Sequence, residues 1–222
     1  MKKIIALFLI LITSSTLFIG CQKQQTLDEY VSQLRSDIFE GSSQNVSLKC
    51  TYGFKEQPYK NDGIKGQTIS LLTFKLLNKE TDDVAYTLSM ELNGDILKGT
   101  FNLNPVSNSV TCELPINNFN LKEFNVKVSF AGNTENIVMR SIIPENTITY
   151  SKALLTLVKS QSVLISHYMA EDGVFSAEIH ARILVKDGKA YWYVGIVDKN
   201  ADTKALLIDG TSGEVLAIRE IF

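Results

Sequence analysis

The chain has 222 residues, with 22 Lys and Arg against 24 Asp and Glu, a formal charge of −2 and 45% hydrophobic residues. That length supports one large or two small domains with a substantial core, needing neither metals nor many cross-links. A mildly acidic balance without a basic cluster excludes the electrostatic footprint of a nucleic-acid-binding protein.

In chain order, Lys2 and Lys3 precede an apolar run over residues 4–12, a short polar step over 13–16, and Leu17-Phe18-Ile19-Gly20-Cys21. This is the layout of a secretory signal, and the apolar run alone is too short to cross a bilayer. The last five residues resemble the lipobox of bacterial lipoprotein signal peptides, with Phe18 where Leu is usual. The resemblance implies a signal over residues 1–20, cleavage after Gly20 and a lipid on Cys21. The expected location is the cell membrane, lipid-anchored and facing the extracytoplasmic side. Cleavage would remove two lysines and no acid, leaving a charge of −4, so attachment would come from the lipid rather than from charge.

Residues 21–44 read as a short tether and an amphipathic helix. Leu27, Tyr30, Val31, Leu34 and Ile38 recur at helical spacing, and Thr26 with Glu29 has the form of a capping box.

Over residues 45–146 the period changes to two. Val84, Tyr86, Leu88, Met90 and Leu92 alternate with polar or small residues up to Asn93-Gly94, the dipeptide favoured in two-residue hairpin turns. Folding there sets Met90 against Leu97, Tyr86 against Phe101 and Val84 against Leu103. Further alternating runs occupy 69–76, 110–116, 124–130 and 137–143. With the strand around Cys50 they make about seven short strands, the pattern of an antiparallel β-sandwich. Cys50 and Cys112 both occupy apolar positions of alternating strands and are expected to be buried. Export permits a disulfide between them, and two separate buried thiols fit equally well. The single Trp of the chain, Trp192, lies outside this region, so an immunoglobulin-type Cys…Trp…Cys signature is absent.

Residues 147–222 form a second expected unit. Tyr150, Ala153, Leu154, Leu157, Val158, Val163, Leu164 and Tyr168 fit an amphipathic helix capped by Thr149 or Ser151. The run 175–185 then alternates up to Asp187-Gly188, a second two-residue turn. Pairing across it sets Ile183 against Trp192, Ala181 against Val194 and Ile179 against Ile196 on the buried face. The other face receives Glu178, His180, Arg182, Tyr191 and Tyr193. Amphipathic residues grouped in this way are enriched at contact sites, although a solvated sheet face uses the same residues.

Trp192, Val194, Ile196 and Asp198, followed by Leu206-Leu207-Ile208-Asp209-Gly210-Thr211-Ser212-Gly213-Glu214-Val215-Leu216, look like the closing strands of a PepSY domain. The preceding helix is similar to the helix of that family. The resemblance covers about the last third of the chain and implies a small non-enzymatic α+β module with a regulatory role toward proteases. Read from the residues alone, Asp209 and Ser212 serve to cap a tight turn. The fold expected for the whole chain is mainly β with an α+β C-terminal module. It comprises an N-terminal helix, a sandwich, then a helix packed on a small antiparallel sheet.

Signs of chemistry are few. His167 and His180 lack HExxH spacing, and no serine sits in a Gly-x-Ser-x-Gly elbow. Asp198, Asn200 and Asp202 alternate faintly as in a calcium loop, but Thr203 stands where that loop needs Gly. No metal, cofactor or catalysis is expected. The reading is a lipid-anchored binding or regulatory protein with a protein partner, or alternatively a structural component of the envelope, with a hydrolase third.

Overall fold

A computed structural model of the chain describes residues 27–60, 62–78, 84–105, 108–171 and 173–221. The signal, the lipobox, Cys21 and the residues up to Thr26 lie outside the described residues.

Thirteen strands form one continuous sheet, curled into a half-barrel. Its central member is β1 (Val31–Ser42), preceded by a single 3-10 turn at Asp28–Tyr30. The helix expected over this segment is therefore replaced by a strand, and the cause is visible in its register. Pairing shifts once between Val31 and Gln33 against β10 (Glu178–Lys186), and again between Arg35 and Asp37 against β2 (Ser47–Glu56). Each shift inserts a residue and resets the phase of the pleat. Buried Val31, Leu34 and Ile38 thus stand three and four apart in a strand, which imitates a helical stripe.

One long side of β1 pairs with β2. The other side is divided: residues up to Arg35 pair in parallel with β10, while Phe39 and Glu40 pair with β9 (Asn133–Ser141). From β2 the sheet continues through β3 (Thr68–Leu76) and β7 (Ser109–Pro115) to β6 (Asn102–Asn104). From β9 it continues through β8 (Glu123–Phe130) and β4 (Tyr86–Leu92) to β5 (Asp95–Thr100). Beyond β10 lie β11 (Lys189–Val197), β12 (Thr203–Asp209) and β13 (Val215–Ile221). The expected sandwich followed by a separate PepSY-like sheet is overturned, because β1 joins both strand sets into one sheet through backbone hydrogen bonds.

The local hairpins follow the sequence closely. Asn93 and Gly94 both take positive φ, as the mirror-image turn requires, and Met90 faces Leu97. The pairing ends where the Phe101 N–H meets the Tyr86 carbonyl. Leu103 does not continue toward Val84; it crosses to β7 and pairs with Val110. Around Asp187-Gly188 the register matches the expectation through Ile183–Trp192, Ala181–Val194 and Ile179–Ile196. The expected helix is divided at Gln161 into α1 (Tyr150–Ser160) and α2 (Ser162–His167). Thr149 caps α1, its hydroxyl accepting the Lys152 N–H at 3.4 Å.

Two hydrophobic clusters fill the concave spaces. The first joins Phe39, Leu48, Phe74, Leu88, Val128 and Met139 from strands β1 to β9. The second packs Ala153, Leu154 and Leu157 of α1 with Val31, Leu34, Ile183, Trp192 and Leu206. Each large side chain withdrawn from water contributes roughly 1.5–3 kcal/mol. β1 supplies both clusters, Phe39 to the first and Leu34 to the second, so it ties their stabilities together.

Candidate functional site

The register places Glu178, His180 and Arg182 on one face of β10, with Tyr193 of β11 opposite Arg182 and Tyr191 opposite Leu184. The Arg182 guanidinium carbon lies 5.9 Å from the centroid of the Tyr193 ring, within reach of a cation–π contact. This face is not open along its whole length. Glu178 is fully buried and His180 only 7% exposed, whereas Arg182, Tyr191 and Tyr193 are half-buried. Two neighbours invisible to the local pattern account for the difference. β1 flanks β10 and makes it an interior strand, and the β2–β3 connection folds back across its end. Tyr59 in that connection brings its ring to 6.4 Å from His180, and Gly63 packs on the backbone of Asp198 and Lys199.

Burial acts on these groups strongly. His180 Nε2 is 3.6 Å from Glu178 Oε1. Desolvation, reinforced by Arg182, lowers the His180 pKa to about 4. Desolvation raises the Glu178 carboxyl, opposed by the Ser32 hydroxyl and reinforced by the charges of Glu56 and Asp62. Both side chains are driven toward their neutral forms. Glu56 itself is buried and accepts the Gly66 N–H, which pins the connection to the end of β2.

A larger feature lies at the seam between the two clusters, a cleft of about 720 Å³. Ser36 and Asp37 of β1, Lys122 and Glu123, Arg140 and Ser141 of β9, and the start of α1 form its walls. Ile183, Trp192 and Ile148 supply an apolar floor. The Trp192 indole N–H donates to the Ile148 carbonyl at 2.9 Å, which fixes the ring in place. Four of the wall charges are paired, Lys122 with Asp37 at 3.3 Å and Arg140 with Glu123 at 2.7 Å, and Glu145 also lines the cleft. A mostly apolar floor with a few oriented polar groups, in a volume of this order, is the usual form of a ligand site. Sequence reasoning missed it because its walls and floor come from segments far apart in the chain; the one hint was the 144–149 linker, which borders the cleft.

The other singled-out residues have structural roles. Cys50 and Cys112 are buried and free. They do not meet across a core: Cys50 faces Phe74 of β3, and Phe74 faces Cys112 on its other side. Two interstrand spacings put their backbones about 10 Å apart, beyond the roughly 7 Å that a disulfide spans. The Asp198 carboxylate accepts the Asn200 and Asp202 N–H groups at 2.8 and 3.1 Å, so the faint calcium pattern is a hairpin turn. Asp209 accepts the Thr211 and Ser212 N–H groups at 2.9 and 2.8 Å, the cap expected there. Among the described residues no group of three or more His, Cys, Asp or Glu is placed to hold a metal ion.

No family model matches the chain, and no match to it is found among curated proteins or solved structures.

Proposed function

We propose that the chain is a lipid-anchored extracytoplasmic binding protein without catalysis, held at the membrane through Cys21, which receives a segment of an envelope partner in the seam cleft. The supporting observation is the cleft itself, with an apolar floor and walls in which Lys122 pairs with Asp37 and Arg140 with Glu123. Paired carboxylates and cations of this kind orient a ligand by charge-assisted hydrogen bonding. The lipobox residues support the location, and among the described residues no helix is long and apolar enough to cross a membrane.

The test is co-purification from detergent-solubilised membranes, with the wild-type chain and with Glu145→Trp, which places bulk at the cleft rim. One stoichiometric partner retained by the wild type and lost by a normally folded Glu145→Trp supports the reading. A ladder of envelope proteins unaffected by the substitution would instead indicate a structural spacer. Cys21→Ser tests the anchor: processing and detergent partitioning unchanged from wild type would remove it from the proposal.

A further inference from the structure

On the convex face, opposite the Trp192 side of the sheet, β10, β1, β2 and β3 form a notch of about 70 Å³. The parallel register sets Arg35 directly beside Arg182, with both side chains in the notch wall. Like charges opposite one another across a strand pair are ordinarily destabilising, and here the backbone enforces the arrangement. A Cβ on Gly53 would stand 1.8 Å from the Leu34 carbonyl oxygen and 2.9 Å from the Arg35 Cα. β1 therefore presses onto β2 at a position that only glycine allows, and this close approach fixes the base of the Arg35 side chain.

The charge of this pair is not compensated within the described residues. Lys55, also in the wall, is held by Glu113 at 2.7 and 2.8 Å. Neither arginine has a carboxylate at ion-pair distance among the described residues. Arg182 directs Nε and Nη2 at the Gln33 side-chain oxygen, which orients its guanidinium and leaves the Nη1 hydrogens free. Arg35 adds a second planar fork, and the Thr51 and Thr73 side chains complete the wall. Adjacent, partly buried guanidinium groups offer the bidentate geometry that suits carboxylate and phosphate.

We propose that the Arg35–Arg182 notch binds one compact oxyanion, a carboxylate or a phosphate group. The volume admits a single such group rather than a larger ligand, and Tyr193, against Arg182, shields it on one side. The Arg35 pKa is lowered by burial and then by the charge of Arg182, the direction expected where two cations await a shared counter-charge.

Calorimetric titration of the full chain in detergent micelles, with inorganic phosphate in one arm and N-acetyl-glutamate in the other, tests this. Saturable one-to-one binding of either probe supports the proposal, and the arm that responds tells free phosphate from a peptide carboxylate. Arg35→Gln and Arg182→Gln should each weaken binding at least about tenfold, as loss of charge-assisted hydrogen bonds implies. Lys75→Gln, an exposed lysine of β3, controls for bulk charge. No response to either probe at millimolar concentration overturns the proposal, as does binding that survives in the double variant. A second readout needs no probe: Arg35→Gln should melt at or above the wild-type temperature in chloride buffer, since it removes repulsion. A large fall in melting temperature would assign Arg35 a structural part and refute the idea.

Discussion

Replacing Trp192 by Ala tests the second hydrophobic cluster and the floor of the cleft together. The ring is only 2% exposed and sits between Ile183 of β10 and Ile208 of β12 in the sheet register. The cluster it belongs to includes Ala153, Leu154 and Leu157 of α1. Truncating a buried Trp leaves a cavity that the locked strands cannot close, at a cost of about 3–5 kcal/mol. The buried indole N–H bond to Ile148 is lost as well, a net contribution of about 1 kcal/mol. Against a total stability of roughly 5–15 kcal/mol, the loss should be plain in urea unfolding. Far-UV circular dichroism is the appropriate signal, since the substitution removes the only Trp of the chain. Trp192→Phe, which retains most of the packing, should fall well short of the Ala variant. β1 feeds both clusters, so the transition should remain single. A loss below about 1 kcal/mol for Trp192→Ala would mean that the ring is not enclosed, and the cleft floor described above would be wrong.

Four further outcomes are expected. Below pH 6.5 the unfolded chain protonates His180 while the folded chain resists until about pH 4, so stability should fall with falling pH across that window, by up to about 3 kcal/mol; His180→Gln should flatten this slope, and an unchanged slope refutes the assignment. Glu178 acts in the opposite sense, because its raised pKa keeps a proton on the folded chain and lowers stability as pH rises above the ordinary carboxyl range, a trend that Glu178→Gln should abolish. Gly53→Ala should cost about 3 kcal/mol in urea unfolding, because a Cβ meets the rigid backbone of β1; a near-neutral result would contradict the close approach. Cys50 is raised well above its ordinary pKa by burial and by Cys112, and Cys112 is raised to about 11 by burial and by Glu113, so both thiols should resist a thiol reagent until the chain unfolds; rapid labelling of the native protein would refute their burial.

What was legible in the sequence was local. Asn93-Gly94 and Asp187-Gly188 reverse the chain because few residues tolerate positive φ, and with the turn fixed, alternation alone sets the register out to Phe101 and Val197. The Thr149 cap and the Asp209 turn are legible for the same reason, being side-chain bonds to amides two or three residues away. β1 was not legible, because two register shifts disguise a strand as a helical stripe and its parallel partner β10 lies more than a hundred residues on. Nor did the alternation of Glu178 and His180 reveal that the Tyr59 connection closes over them. The seam cleft and the Arg35–Arg182 notch likewise draw on residues far apart in sequence. Sterics over a few bonds determine a turn from its own residues, whereas the partner of a strand edge is selected by the free energy of the whole sheet, and only the tertiary structure makes that selection.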